Sequence, residues 1–306
     1  MSSTKKSKRI VVAVNPTASF GATRAVGPAL VTTLRGLGHD VTMLVEADYV
    51  QLITTAKKAV ASKPDAFVVV GGDGMVNLGT NLVAGTKVPL GIVPSGTGND
   101  MARALGIPIG NLEQAVAVLE EALGRPPRVI DAGMITDANG ESRWFGCIVS
   151  AGFDSVVNER ANHMRYPKGK SRYTAALLLE MIGLKPISYR IVMDGTELVT
   201  KGMLVSVGNG QSLGGGMRVT PDALLDDGLL DVLVVEPLTR IQFLRIFPKV
   251  FKGTHIEDPR VNVTRARTVR LESDSAVAYT DGERFAPLPV DIEIRPGALL
   301  VLSPPV

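Results

Sequence analysis

The sequence predicts a two-domain α/β chain, with a doubly wound amino-terminal domain followed by a β-rich one, and three observations predict it. First, Phe67–Val70 and Val88–Val93 are short continuous apolar runs, the pattern of parallel strands buried on both faces, and each ends in a glycine-rich loop. Second, strand-like and helix-like segments alternate from Arg9 to Leu123, which specifies a parallel sheet with helices on its faces. Third, the texture changes near Arg128 to frequent short strands separated by Gly, Asp and Asn. A length of 306 residues suits two domains. The boundary falls near Gly133, giving 1–133 and 134–296.

In order, Arg9–Val14 is a first buried strand ending at Asn15-Pro16-Thr17-Ala18-Ser19-Phe20-Gly21. Neither the dinucleotide nor the P-loop glycine pattern occurs there, yet Asn15, Thr17 and Ser19 could face a ligand from a strand end. Helical spacing runs from Arg24 to Leu37 and stops at Gly38. Val41–Val45 is the second strand, Tyr49–Ser62 a helix and Phe67–Val70 the third strand. Met75–Val83 is a helix that begins inside the loop Gly71-Gly72-Asp73-Gly74, so its dipole faces that loop. Val88–Val93 opens into Pro94-Ser95-Gly96-Thr97-Gly98-Asn99-Asp100, and Leu112–Leu123 is helical.

Two glycine loops at the carboxyl ends of neighbouring parallel strands lie where open α/β sheets bind ligands. Glycine lets the backbone approach a ligand, and successive N–H groups make a nest for phosphate oxygens. Each loop alone is equally an ordinary strand-to-helix turn. The pair, carrying Asp73, Thr97, Asn99 and Asp100, points to a nucleotide-phosphate site.

In the second half, strands are predicted at Phe145–Val149, Ile187–Met193, Met203–Val207 and Leu229–Val235, with several short ones after Val261. Asp194-Gly195 and Asp281-Gly282 are hairpin turns. Helices are predicted at Ser155–His163, Ser171–Gly183 and Ile241–Lys252. Residues 210–214 fit the nucleophile-elbow pattern around Ser212, but Gly215 and Gly216 follow where an elbow needs a helix, so a glycine loop lining a cleft is the better reading. Asp226-Asp227-Gly228 is either a turn or a cation site built from carboxylate and backbone carbonyls. Asp281 and Glu283 form a hairpin turn whose two acids could instead share one face.

Composition narrows the function classes. A net charge of +3 and a pI near 9.0 are compatible with acidic ligands or an anionic membrane. Few aromatics and no recognition motif argue against nucleic acid. The one cysteine, Cys147, lies in an apolar run as an inert buried thiol and fits a reducing cytosol. No stretch approaches the ~18 apolar residues a spanning helix needs, so membrane contact is expected only at the surface. The three histidines match no metal spacing, and His39 is expected to cap a helix. Basic residues gather at Arg165–Arg172 and at Arg240, Arg245, Lys249 and Lys252, a solvated face or a membrane-surface patch.

Taken together, Gly71-Gly-Asp-Gly-Met-Val-Asn77, Ser95-Gly-Thr-Gly-Asn-Asp100, Gly208-Asn-Gly with Gly214-Gly-Gly-Met217, Asp226-Asp-Gly-Leu-Leu-Asp231 and Asp281-Gly-Glu283 resemble the diacylglycerol kinase catalytic-domain family, soluble bacterial lipid kinases most of all. The likeness covers nearly the whole chain. It implies a nucleotide-binding domain like that of NAD and diacylglycerol kinases, a carboxy-terminal β-sandwich, and an active site between them, with residues 297–306 returning to the first domain. It implies ATP contacts at Asn15, Pro16, Thr17, Gly71, Gly72, Asp73, Gly74, Met75, Val76, Asn77, Gly96 and Thr97. Met75 stands where threonine is usual, which removes one hydroxyl. Glu283 matches the proton acceptor for the lipid hydroxyl, and Asp73 is a second candidate catalytic residue, as a metal ligand or as an aid to the acceptor. Asp227, with the carbonyls of Leu224 and Leu229, matches a Mg²⁺ site.

The resulting expectation is an ATP- and Mg²⁺-dependent kinase of diacylglycerol or a related lipid alcohol, serving phospholipid synthesis from the cytoplasm or the inner face of the membrane, with homodimer formation open. Phosphoryl transfer needs positioning, charge neutralisation and a base, and these residues supply the parts. A kinase for a soluble acceptor such as NAD, or a regulatory module that keeps ATP and lipid without catalysis, are the competing readings.

Overall fold

The structure is a computed structural model, and it describes residues 7–15, 23–152, 157, 160, 164, 166, 176 and 185–305. The chain parts into two compact units, Met1–Ile130 with Gly297–Val306, and Asp131–Pro296.

The first unit alternates β1 (Arg9–Val14), α1 (Thr23–Gly36), β2 (Asp40–Leu44), α2 (Tyr49–Ala61), β3 (Ala66–Gly71), α3 (Asp73–Val83), β4 (Leu90–Pro94), the short α4 (Asp100–Ala104) and α5 (Leu112–Leu123). The strands lie in the order β2-β1-β3-β4, all parallel. Every residue of β3 is buried, as a strand covered on both faces requires. Leu30 and Leu34 of α1 and Leu119 of α5 pack with Ile10, Val12 and Val68 on one face. Helices α2 and α3 pack against β1 and β3. Asp48 and Asn111 cap α2 and α5 by accepting the N–H of Gln51 (2.9 Å) and Gln114 (3.0 Å). The order of strands is that of a doubly wound sheet, as predicted.

The second unit is a β-sandwich. One sheet runs β12 (Val261–Ala266), β11 (Leu230–Val235), β10 (Leu204–Gly208), β7 (Ile148–Gly152), β14 (Val277–Thr280), β15 (Glu283–Pro287), antiparallel throughout. Facing it are β8 (Ile187–Met193), β9 (Thr196–Gly202), β13 (Thr268–Glu272) and the first residues of β16 (Val290–Leu302). The hairpin of β5 (Arg128–Asp137) and β6 (Ser142–Phe145) opposes Gly133 to Phe145. Val149, Val205 and Val232 from the first sheet meet Ile191, Leu271 and Ile292 from the second in one apolar core. After Gly297 the end of β16 pairs in parallel with β4, Val301 opposite Leu90, so this strand completes the first unit. Both predicted hairpin turns occur, with positive φ at Asp194 and Gly195 and at Asp281 and Gly282, the geometry of a type I′ turn.

Several expectations are corrected. The predicted strand Phe145–Val149 is broken: β6 ends at Phe145 and β7 begins at Ile148, because the N–H groups of Gly146 and Cys147 turn toward a carboxylate described below. The predicted helix Ile241–Lys252 is α-helical only over Arg240–Ile246 (α6) and continues as 3₁₀ over Phe247–Lys252. Pro248 has no N–H for the α-ladder, which accounts for the change. His39 caps no helix. Its Nδ1 accepts the Lys8 N–H (3.2 Å) and its Nε2 lies 3.0 Å from Glu120 Oε2, tying the edge of the sheet to α5. The predicted helices Ser155–His163 and Ser171–Gly183 lie outside the described residues, except for helical Val157, Arg160 and Ala176. No helix among the described residues is long and apolar enough to cross a membrane.

Within the sandwich, buried Tyr189 of β8 donates its hydroxyl to the Ala151 carbonyl of β7 (3.1 Å), one polar bond between the two sheets. Tyr189→Phe is expected to lower stability by about 1 kcal/mol, one buried hydrogen bond, and Tyr189→Ala by about 3–5 kcal/mol through cavity formation. Urea unfolding followed by circular dichroism measures both.

Candidate active-site residues

In the first unit, β3 and β4 are adjacent, and Gly71 lies opposite Pro94 at their carboxyl ends. The chain leaves β3 through Gly71 and Gly72 and turns at once into α3, whose first residue is Asp73. It leaves β4 through Ser95–Asn99. The two loops touch so closely that a Cβ on Gly96 would lie 2.3 Å from the Cα of Gly72, a contact only glycine permits. The Asp73 carboxylate closes the pair: Oδ2 accepts the N–H of Asn99 (3.0 Å) and Oδ1 that of Asp100 (2.7 Å). A Cβ on Gly98 would fall 2.1 Å from Asp73 Oδ2, so this glycine makes room for the clasp. Asn99 takes the left-handed conformation (φ 57°) and folds its own loop by accepting the Gly96 N–H (3.1 Å) and donating to the Gly96 carbonyl (2.8 Å). The Ser95 N–H donates to the Gly71 carbonyl (2.9 Å).

The predicted nucleotide residues Gly71, Gly72, Asp73, Gly74, Gly96 and Thr97 thus form one continuous surface of two loops, with Thr97 exposed and Met75 and Val76 buried behind it. Asn77 is also buried. Its Nδ2, like Ser95 Oγ, has no hydrogen-bond partner among the described residues. Buried donors of this kind call for a partner, and water or a ligand would serve. Asn15 ends β1 and is half-buried, whereas Pro16 and Thr17 lie outside the described residues.

In the second unit, Glu283 opens β15 immediately after the Asp281-Gly282 turn. The two acids part company. Asp281 accepts three backbone N–H groups, from Gly146, Cys147 and Ile148, each at 2.9 Å. Glu283 keeps 43% of its side chain open to solvent, 4.0 Å from Arg143 Nη1. Burial by the surrounding protein pushes the Glu283 carboxyl above its usual pKa, the Arg143 guanidinium pulls it back, and the Asp281 carboxylate adds to the rise. Arg143 in turn lies over the Phe285 ring, 5.2 Å from its centroid. The turn held by Asp281 is gripped from its other side by fully buried Asn209, whose Nδ2 donates to the Gly146 carbonyl (2.8 Å) and the Asp131 carbonyl (3.2 Å). The Gly208-Asn-Gly segment is therefore a support for the residues before Glu283. Ser212 is buried and no helix follows it, so it is no elbow nucleophile.

Around the predicted metal segment, Asp227 Oδ1 accepts the Leu229 N–H (3.0 Å) and Asp131 Oδ2 accepts the Gly228 N–H (2.7 Å). Leu224 is exposed and Leu229 half-buried. Arg265 lies 3.1 Å from Asp231 and 3.8 Å from Asp227. Burial raises the pKa of Asp231, Arg265 opposes this, and Asp227 and Asp222 push it further up. Arg265 thus faces several acids at once. Carboxylate and carbonyl oxygens are the ligands a hard divalent cation takes, so the donor chemistry fits Mg²⁺. Among the described residues no group of three or more His, Cys, Asp or Glu side chains is arranged as a metal site, so any cation here would rely on carbonyls and water. Sequence reasoning missed Asp131, Arg143 and Arg265, and singled out Asn209 only as part of a glycine motif. Their partners are far off in the chain, and no local spacing announces them.

The same unit holds an apolar cavity of about 80 Å³. Leu213 and Met217 of the glycine loop, Leu233 of β11 and Phe243, Ile246 and Phe247 around α6 line it. Its polar exceptions are Ser206 and His255. Burial holds the His255 imidazole below its usual pKa, against a bond to the Val219 carbonyl.

Comparison with known proteins agrees with this arrangement. Residues 9–135 match the diacylglycerol kinase catalytic domain, and residues 147–303 match the YegS C-terminal NAD kinase beta sandwich-like domain. The chain is 40% identical over 297 residues to a diacylglycerol kinase of Mycobacterium tuberculosis (strain CDC 1551 / Oshkosh), covering 97% of this chain and 95% of that one. It is 29% identical over 238 residues to a diacylglycerol kinase of Bacillus subtilis (strain 168), with 76% of each chain covered. A diacylglycerol kinase structure from Bacillus anthracis str. Sterne shares the fold, with a TM-score of 0.73 at 23% identity over 98% of this chain and 99% of that one. Clasped glycine loops on a parallel sheet, followed by a sandwich of this kind, and 40% identity across almost the whole length place the chain in the diacylglycerol kinase catalytic-domain family.

Proposed function

We propose that the protein is an ATP- and Mg²⁺-dependent lipid kinase that phosphorylates the hydroxyl of diacylglycerol or a closely related lipid alcohol. The observation that carries the lipid part is the apolar cavity of the second unit. Its volume corresponds to on the order of five to eight water-sized groups, room for the first carbons of a chain. Buried apolar side chains offer nothing to a soluble polar acceptor. The curated relatives named diacylglycerol kinase support the same acceptor.

In this reading the clasped loops hold the nucleotide. Backbone N–H groups of Gly72–Gly74 and Thr97 would cradle phosphate oxygens at the amino end of α3, where no side-chain cap competes for them, while Gly71 and Gly96, whose own N–H is held by Asn99, keep the loops low enough for the approach. Asn77 Nδ2 and Ser95 Oγ supply donors that no other described residue engages. Asp73 acts as a positioning residue, since both its oxygens already hold the facing loop. Asn15, Pro16 and Thr17 would bound the nucleotide from the end of β1. Asp227 with the carbonyls of Leu224 and Leu229 would hold Mg²⁺, whose charge offsets that gathering on phosphate oxygens. Glu283 would take the proton of the lipid hydroxyl. A raised pKa makes it a stronger base than an ordinary glutamate.

NAD remains the soluble acceptor to test, because the sandwich half also matches an NAD kinase-like description. Mixed micelles with labelled ATP and Mg²⁺, run beside NAD in the same buffer, decide between them. Label is expected in diacylglycerol, and label in NAD alone would overturn the lipid reading.

Glu283→Gln is expected to lower kcat by about 10²–10⁴-fold with the KM for ATP unchanged. Because the base must be ionised, kcat/KM should rise with pH through the Glu283 pKa and then level off, above the ordinary glutamate range. Arg143→Gln removes the cation that lowers this pKa and should move the limb to higher pH. Asp227→Asn should raise the Mg²⁺ concentration for half-maximal rate, measured by titrating MgCl₂ at saturating ATP.

A further inference from the structure

The element after β11 has two unlike faces. Thr239 caps α6 through a capping box with Gln242, and the chain then runs through the 3₁₀ turn to Gly253. Phe243 and Ile246 are buried, and with Phe247 and Val250 they form one wall of the apolar cavity. On the opposite face Ile241, Leu244 and Phe251 stay 64%, 51% and 54% exposed. At 100° per residue, positions 240, 241, 244 and 245 fall within roughly 140° of arc. Two exposed aliphatic side chains therefore stand between two arginines. Lys249 and Lys252 extend the basic set along the 3₁₀ turn, and all four cations are exposed. From Thr239 to Gly253 the chain carries no acid. Phe243 stacks on Phe247 (5.6 Å), which meets Phe251 edge-on (5.9 Å), so an aromatic ladder joins the cavity wall to the exposed surface.

Exposed apolar side chains flanked by Arg and Lys match the surface of an anionic bilayer: the aliphatic groups enter the headgroup boundary while the cations meet lipid phosphates. Although Asp258 lies near Lys249, the segment's own exposed face carries only cations among its apolar side chains and backs an apolar cavity, a pairing that suits anionic lipid better than a protein partner. We infer that Arg240–Lys252 is the membrane-docking element of this protein, laying its outer face on anionic lipid while its inner face walls the cavity. Docking here brings acyl chains to the element that bounds the acyl space. This purpose rests on the lipid-kinase reading, but the binding itself does not.

The test is sedimentation of the full-length protein with vesicles of phosphatidylcholine alone or mixed with phosphatidylglycerol, using wild type, Ile241→Ser/Leu244→Ser and Lys249→Gln/Lys252→Gln. Wild type should bind the mixed vesicles and prefer them to phosphatidylcholine alone. The lysine pair should cost about fivefold in affinity per charge, and the apolar pair about tenfold or more. Neither pair lines the cavity, so both variants should keep wild-type turnover on detergent-dispersed diacylglycerol. Wild type that ignores anionic vesicles, variants that bind as wild type does, or a lipid-free dimer that the same substitutions dissociate would each overturn the inference. Vesicle binding without phosphoryl transfer by wild type would leave docking standing and remove the kinase reading instead.

Discussion

One carboxylate holds the two glycine loops of the first unit together. Asp73 leaves β3 as the first residue of α3 and takes two N–H groups from the loop after β4. Hydrogen bonds to an ionised acceptor are worth about 1.5–3 kcal/mol each, enough to hold two short loops that have few side chains of their own. The glycines follow from this constraint. Gly96 must let the loops meet, and Gly98 must clear the Asp73 oxygen. Two touching glycine loops result, braced by the side chains of Asp73 and Asn99, which is the preorganisation that the proposed phosphate binding would reward.

The sandwich half repeats the device. Asp281 gathers the N–H groups of Gly146, Cys147 and Ile148, and Asp131 takes that of Gly228. In the first case the neighbouring acid, Glu283, is left outward; in the second, Asp227 beside Gly228 spends one oxygen on the Leu229 N–H and turns the other toward Arg265. The outward acid inherits a rigid mount. That division of labour mounts the Glu283 carboxylate on a braced hairpin tip, the steadiness that the proposed base requires.

The legible parts were those in which local sequence states its own environment. β1, β3 and β4 are short apolar runs, α5 is bounded by an asparagine cap and Gly124, and both Asp-Gly turns require positive φ. What stayed hidden depends on distant partners. The break at Gly146-Cys147 inside an apolar run is imposed by an acid 135 positions later. His39 follows a helix end, yet its ring is claimed by Glu120 across the sheet. The ten-residue β5 went unread because its pattern mixes exposed and buried positions without clean alternation. The glycine-loop motifs were readable as two loops at neighbouring strand ends, but not that Asp73 and Asp281 would face backbone, since an acid that binds and an acid that braces look alike in a sequence.

The most direct test is calorimetric titration of ATP into Asp73→Asn, beside its unfolding curve. If Asp73 works by clasping the two loops, the variant stays folded and its ATP affinity falls by about tenfold or more, as expected for loss of a charge-assisted bond. Affinity equal to wild type, with only turnover lost, would contradict this and make Asp73 a direct participant in the chemistry.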